Sequence, residues 1–459
     1  MSSLYQMSPV FLQNSIMSLY GLYWKKRRYG GIFLEQLKAF KERENYTKEE
    51  WSAYQTIQLR KLLVHSFTTV PYYNREYKKQ GFNLSDFEKF ELKDLSKLPY
   101  LEKEALRQFS TTDLLSKQRQ KGVFYSSSGS TGTPTKIYFS KSFHQTYSAL
   151  TEARVRHWAG LDYLTSRGMI GGRRIIKTAN ANPPFYRYNG VERQVYFSAY
   201  HISEQNAENY LKGIKAKKIE YMVGYAMSNY LLADMFDKLK LEAPKLKAVI
   251  TSSEKLTQQM RDTFKRVYNC QTFDSYSGVE ACGLISENKD GEKLFSPDSG
   301  IMELVDTTGN PVENGVTGEI IATGLLNFDQ PLIRYRIGDR VKLSIDQQTK
   351  SGINMPMVEE IGGRVEDVII GKDGRKMVRF HGLFIDIPSL KIAQVIQHKI
   401  EDIEIKLVVE DSFSEKEEKL IARRLMSQLG NVSIKFTYPK EILNNKNGKF
   451  QAVISKLKK

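Results

Sequence analysis

Residues 125–136 read YSSSGSTGTPTK, small hydroxyl residues leading through two glycines to a proline and a lysine. Glycines let backbone N–H groups approach an oxyanion, and a turn of this composition can form an anion-binding nest. Ser128, Ser130, Thr131 and Thr133 surround Gly129 and Gly132 with hydroxyl donors, and Lys136 adds a charge. That is phosphate chemistry. It is not the common nucleotide P-loop, which needs Gly-x-x-x-x-Gly-Lys-Ser/Thr. Here the glycines are three apart and Lys136 follows Thr135. On composition alone, a flexible Ser/Gly linker stays open beside the phosphate reading.

The rest of the chain narrows the partner. Lys and Arg number 69 against 52 Asp and Glu, a formal net charge of +17 that points to an anionic partner: nucleotide, nucleic acid or the anionic face of a membrane. A merely basic soluble surface is the bland alternative. No nucleic-acid reader motif accompanies the charge, so no specific nucleic acid is expected. Cys270 and Cys282 are too few for a disulfide framework or a cysteine zinc knuckle and suit a reducing compartment. The six histidines are scattered and form no ligand pair. No stretch reaches the roughly 18 unbroken apolar residues of a membrane span. The basic cluster Lys25–Arg28 follows the apolar part of the N-terminus, the reverse of a signal peptide. A cytoplasmic protein is expected.

Several elements can position such a loop. Residues 1–120 read as mainly helical; Thr47 and Glu50 form a capping box for a helix through Leu62 and Leu63 that must stop near Pro71. Before it, Leu12, Ile16, Leu19, Tyr20 and Tyr23 fall at helical spacing, and Trp24 abuts the basic cluster. Such a stripe suits a membrane interface, although an arm packed on the protein's own body is the favoured reading. From Val123 to Ile301, strand candidates at 123–125, 219–225, 247–250 and 271–273 alternate with helical stretches, which predicts α/β layers. Residues 302–345 predict a small β region. The last 95 or so residues predict an α+β unit: a strand at 403–410, a helix capped by Ser414 and Glu417 and ended by Gly430, and a strand at 432–438. The expected fold is therefore α/β, with a large multi-layered domain over 1–362 and a small mobile α+β domain over 363–459.

Five further segments follow the Ser/Gly loop in order: SSE (252–254), DSYSGVE (274–280), PLIRYRIGDR (331–340), IGGRVEDVII (361–370) and NKNGKF (445–450). The ordered set resembles the adenylate-forming superfamily of acyl- and aryl-CoA synthetases, adenylation domains and luciferases, over roughly residues 90–459. Within it the chain looks most like the phenylacetate–CoA ligase-like branch. LQNSIMSLYGLYWKKRRY near the N-terminus, VPYYN (70–74) and the closing NGKFQAVISK look like members associated with capsular polysaccharide biosynthesis.

The resemblance implies an ATP-dependent ligase that turns a carboxylate into an acyl-adenylate with Mg²⁺, releases pyrophosphate and passes the acyl group to CoA or to an amine or sugar acceptor. It implies that Ser128–Thr133 and Lys136 hold the β- and γ-phosphates. Ser253 and Glu254 would line the adenine site, and Tyr276, flanked by Ser275 and Ser277, would pack on adenine. Glu280 would help hold Mg²⁺, Asp339 would accept the ribose hydroxyls, Arg364 of the hinge segment would bind the nucleotide with Glu366 as hinge residue, and Lys449 would be the mobile catalytic lysine. Of Arg334 and Arg336, one is expected near ribose or phosphate and the other in the framework. Four positions depart from the family pattern: Ser253 and Ser277 stand where glycine is usual, Val279 where threonine is usual, and Glu366 where the hinge aspartate is usual. Tyr225, within VGYAMSNYLLAD (223–234), is the candidate for the carboxylate pocket. GGRRIIK (171–177) reads equally as an anionic-acceptor site or a solvated face. The departures keep a nucleotide-binding pseudoenzyme or scaffold of polysaccharide machinery as the rival reading; a peripheral place at the inner membrane face is compatible with either.

Overall fold

The computed structural model describes residues 5, 7–126, 135–172, 175–176, 182–362, 369–372, 374, 376–377, 381–384, 387, 389–442 and 452–457. The chain opens in helices: α1 (Val10–Tyr29), α2 (Phe33–Glu42), α3 (Lys48–Thr69) and α4 (Pro71–Lys79). The capping box forms as read: the Thr47 hydroxyl accepts from the Glu50 amide, and the Glu50 carboxylate accepts from the Thr47 amide at 2.8 Å. α3 ends before Pro71, which becomes the first residue of α4, where a missing N–H is no loss. α4 is then clamped to the β region. The Tyr73 hydroxyl donates to the Pro331 carbonyl and accepts from the Ile333 amide, both at 3.0 Å.

β1 (Gly122–Ser126) and β2 (Lys136–Ser140) pair antiparallel and bracket residues 127–134; α5 (Lys141–Thr151) follows. The central sheet holds β3 (Arg167–Gly171), β4 (Tyr186–Asn189), β5 (Gln194–Ser198), β6 (Tyr221–Tyr225), β7 (Ala248–Ser252), β8 (Gln271–Tyr276), β9 (Ile285–Glu287) and β10 (Lys293–Phe295). Their order is β10-β9-β8-β7-β6-β3-β5-β4, with β5, β3, β6, β7 and β8 parallel. Helices α6 (Ala207–Ala216), α7 (Ala226–Lys238) and α8 (Gln258–Tyr268) are the crossovers. Strand alternation sorts the side chains into two layers. Val249 joins Phe236 and Phe264 on one face, while Ala248 and Ile250 join Phe33, Phe40 and Leu150 on the other.

β11 (Gly300–Val305), β12 (Thr317–Gly324), β13 (Tyr335–Leu343) and β14 (Val358–Gly362) form an antiparallel sheet in that order, the small β region expected near 302–345. Beyond a short pair, β15 (Ile369–Ile370) and β16 (Lys376–Met377), come β17 (Leu390–Lys399), β18 (Asp402–Val409), α9 (Glu415–Leu429), β19 (Ser433–Thr437) and β20 (Val453–Ser455). The sheet order is β19-β18-β17-β20. Ile403, Ile405 and Leu407 pack with Ile421 and Leu425 in a core of their own. The chain is thus α/β, a large N-terminal domain followed by a small C-terminal one. β18, α9 and β19 match the expected segments; β17 and β20 are additional.

Arg154 is fully buried just after α5. It donates to Glu44 at 2.6 Å, to Asp298 at 3.1 Å and to the Phe40 carbonyl at 2.8 Å, while Arg43 reaches the same Asp298 oxygen at 3.1 Å. This network ties the N-terminal helices to the segment before β11. Removing one member strands a buried charge. Arg154→Leu should therefore cost about 3–5 kcal/mol in urea unfolding, whereas Lys38→Ala, which breaks the exposed Lys38–Glu42 pair, should leave the midpoint unchanged.

Candidate active site

Parallel pairing brings the predicted residues to one edge. Register aligns Tyr225 with Ser252 and Ser252 with Ser275, so β6, β7 and β8 end side by side. Tyr225, Ser253, Glu254, Ser275, Tyr276 and Ser277 all lie on this carboxyl edge, where open α/β sheets take ligands. Strand order reverses between β3 and β6, which places the switch point beside Tyr225. There Gly224 has φ +135°, and a Cβ on it would sit 1.8 Å from the Ile170 carbonyl oxygen. The Glu254 carboxylate accepts from the Met227 amide at 2.8 Å and so anchors the start of α7. Ser253 has φ +70°, the left-handed region in which glycine is at ease. This explains why the family pattern carries glycine there.

A second contact joins the two sheets of the large domain. The Tyr276 hydroxyl donates to Asp339 Oδ2 at 2.8 Å, linking the end of β8 to β13. Burial, and then the Asp339 charge, hold the Tyr276 phenol well above its usual range, so it stays a donor. An ionised Asp339 has acceptor capacity beyond that one bond. Ser277 is absorbed by the fold: its hydroxyl lies 2.5 Å from the Tyr147 hydroxyl and donates to the Gly283 carbonyl at 3.0 Å. Val279 packs against the core. The Thr135 hydroxyl donates to Glu280 Oε1 at 3.3 Å, so Glu280 stands at the exit of the Ser/Gly stretch.

Lys136 begins β2, exposed and paired in register with Ser126. Ser128, Gly129, Ser130, Thr131, Gly132 and Thr133, and likewise Arg364, Glu366 and Lys449, lie outside the described residues. The chain enters residues 363–368 from Gly362, the register partner of Arg340 and hence a neighbour of Asp339. Of the two arginines, Arg334 belongs to the framework. It is buried, pairs with Glu303 at 2.8 Å and donates to the Ser96 and Leu98 carbonyls. Arg336 pairs with Glu319 at 3.1 Å and Glu102 at 3.3 Å. In GGRRIIK, Ile175 and Ile176 are buried, while Arg173, Arg174 and Lys177 fall outside the described residues.

Sequence reasoning missed three residues. Thr135 and Tyr147 touch Glu280 and Ser277. The spacing of Phe143, Tyr147 and Leu150 could have placed Tyr147 on an inward helix face. Asp274 is the third. Burial, and then the Glu287 charge, push its carboxyl up to about 6. Among the described residues no group of three or more His, Cys, Asp or Glu is placed to hold a metal ion. Glu280 beside the Thr135 hydroxyl fits a hard cation held by one carboxylate and, for the rest, by phosphate oxygens.

Residues 369–456 match the CapK C-terminal domain family. Protein CapK of Staphylococcus aureus is 25% identical over 470 aligned residues, covering 99% of both chains. Over nearly its whole length the chain is thus similar to a CapK protein, and over most of it to phenylacetate–CoA ligases. Phenylacetate-coenzyme A ligase of Escherichia coli is 26% identical over 344 residues, 71% of this chain and 74% of that protein. Among solved structures, 2-hydroxyisobutyryl-CoA ligase, in complex with 2-HIB-AMP and CoA in the thioesterification state, has a TM-score of 0.58 at 16% identity. The match covers 90% of this chain and 91% of that one. At that identity the likeness shows the shared fold.

The raised Asp274 pKa gives a signed expectation. Between its ordinary value of 3.8 and about 6, the folded state holds a proton that the unfolded state has lost. This stabilising contribution is complete below the lower value and is lost as pH rises through the upper one. Asp274→Asn should therefore raise the melting temperature at pH 7.5, and the gain should vanish by pH 4 in circular-dichroism melts.

Proposed function

We propose that the protein is an ATP-dependent ligase that activates a carboxylate as an acyl-adenylate and passes the acyl group to CoA or to an amine or sugar acceptor in surface polysaccharide biosynthesis. The observation that carries this reading is the Tyr276–Asp339 bond at the carboxyl edge of the sheet, with Glu280 at the exit of the Ser/Gly stretch. To an adenine ring, a ribose and a triphosphate in turn, these groups offer an aromatic face, an acceptor for hydroxyls and a carboxylate for a cation. The sequence resemblance to members associated with capsular polysaccharide biosynthesis supports the polysaccharide context, and the CoA ligase relatives support CoA as acceptor. The setting proposed is cytoplasmic, peripheral at the inner face of the membrane and in contact with the polysaccharide machinery.

A carboxylate is a poor electrophile. In the first step its oxygen attacks the α-phosphorus of ATP, the bond to the bridging oxygen breaks, and pyrophosphate leaves with the electron pair. In the second, the acceptor's nucleophile attacks the acyl carbon, AMP leaves, and the acceptor loses its proton. Residues 128–133 and Lys136 hold the terminal phosphates. Tyr276 packs on adenine while its hydroxyl fixes Asp339, whose remaining lone pairs take the ribose hydroxyls. Ser253, Glu254, Ser275 and Ser277 frame the nucleotide site, and Tyr225 lines the carboxylate pocket. Mg²⁺ at Glu280, when bound, neutralises phosphate charge. Residues 363–459 act as a moving domain hinged at Glu366, beside Arg364, and bring Lys449 to the oxygens that gain charge as the adenylate forms.

A nucleotide-binding scaffold is the second reading, favoured by Val279, which packs against the core where a phosphate-facing hydroxyl is usual. ATP–pyrophosphate exchange across a panel of carboxylates separates the two: exchange with one substrate supports the ligase, and ATP binding without exchange supports the scaffold. Asp339→Ala removes up to two hydrogen bonds to a charged acceptor, each worth about 1.5–3 kcal/mol. The ATP Kd measured by calorimetry should rise about tenfold or more. Lys449→Ala should cut exchange about a hundredfold, because its charge acts on the transition state, while ATP affinity stays nearly constant. Equal exchange by variant and wild type would assign Lys449 to solvent.

A further inference from the structure

Helix α1 turns its polar side inward. The Asn14 side-chain carbonyl accepts from the Tyr188 amide at 2.9 Å, and the Ser18 hydroxyl accepts from the Gly190 amide at 3.0 Å. Arg187 donates to the Gln13 side chain. Gly21 lies so close to the body that a Cβ would meet the Asn189 side chain at 2.3 Å. Arg27 is buried and donates to the Phe139 carbonyl at 2.9 Å and to His144 Nδ1 at 3.1 Å. Arg28 pairs with Glu192. The helix is pinned to β4, α5 and their neighbours by groups that normally face water.

The apolar side is consequently left outside. Phe11 is 72% exposed, Leu19 68%, Tyr20 56% and Tyr23 52%, with Leu12 and Ile16 above 40% on the same helix. Single exposed apolar residues are ordinary, but a run of them along one rigid helix marks an interaction surface. The charges around it select the partner. Residues 1–34 contain no Asp or Glu. Lys25 and Lys26 lie near the end of the helix, which runs to Tyr29, and among the described residues neither makes an ion pair. Tyr20, Tyr23 and Trp24 sit between the aliphatic stretch and these lysines, their rings 5.8–5.9 Å apart. Aliphatic, then aromatic, then basic groups along one helix suit a helix lying in a bilayer interface. No described helix is long and apolar enough to cross a membrane. A second copy would set a chain of net charge +17 against its like.

We propose that the outward face of α1 docks on a bilayer surface carrying anionic headgroups, so that the catalytic domain is held against the membrane by a helix lying in its plane. Only the choice of the inner leaflet rests on the setting proposed above.

The test is co-sedimentation of the full chain with phosphatidylcholine vesicles, with and without phosphatidylglycerol. Binding should require phosphatidylglycerol and weaken with salt. Leu19→Glu with Tyr23→Glu should lower it about tenfold or more by removing apolar burial and adding repulsion. Lys25→Glu with Lys26→Glu should lower it by roughly fivefold for each lysine lost. Leu19, Tyr23 and Lys26 are exposed and Lys25 is half-buried, all on α1 and away from the nucleotide site, so both variants should keep wild-type ATP binding. Wild-type protein that ignores anionic vesicles, or variants that bind them equally well, would overturn the proposal. So would a dimer in light scattering that the Leu19 and Tyr23 changes dissociate without any vesicle binding, because the face would then belong to a second copy. Vesicle binding by a chain that never binds ATP would sink the ligase reading and leave the lipid face standing.

Discussion

Parallel pairing of β3, β6, β7 and β8 is the constraint on which the site depends. Parallel neighbours must all end on the same edge, so the loops after Tyr225, Ser252 and Tyr276 have to converge. The crossover helices α6, α7 and α8 cover one face of the sheet and α2 and α5 the other, which buries both strand faces and leaves the carboxyl edge as the place for a ligand. Gly224 shows how tight the arrangement is. The carbonyl of Ile170 occupies the space where any side chain at position 224 would begin.

The Tyr276–Asp339 bond extends that edge to the antiparallel sheet. It is a hydrogen bond from a neutral phenol to a carboxylate, partly shielded from water, and such bonds are among the stronger ones in proteins. It also accounts for local chemistry around the motif. With Ser277 held by Tyr147 and Gly283, and Val279 packed against the core, these two departures from the family pattern are taken up by the fold. Ser253 is different, because it keeps a glycine-like conformation without being glycine. A left-handed non-glycine residue is strained by about 1–2 kcal/mol, and such strain persists only where the surroundings impose it.

The two ends of the molecule are built on opposite rules. In the C-terminal domain, β18 and α9 bury the apolar side of each period, as amphipathic elements usually do. In α1 the small and polar side is buried and the apolar side is exposed. The apolar stripe was visible in the sequence. The expectation of an arm packed on the body is met in position, but the packing face is the polar one. Burying Arg27 and Gln13 is tolerable only because each finds partners on other elements.

What the sequence by itself determined is whatever depends on near neighbours: the capping boxes at Thr47 and Ser414, the helix stop at Pro71, the strands at β6, β7, β8, β18 and β19, and the ordered motifs from Gly129 to Lys449. Caps and strand alternation act over a few residues, so a local reading suffices. β3, β4 and β5 escaped it because buried polar residues interrupt their apolar period, and Arg167 Nε can donate to the Gln194 side chain at 2.9 Å only after the strands pair. Only the tertiary structure decided that Tyr276 meets Asp339, 63 residues away, that Thr135 meets Glu280, and that α1 faces inward with its polar side. Each of these is set by the partner a buried donor or acceptor finds, and that partner comes from register and packing between elements distant in the chain.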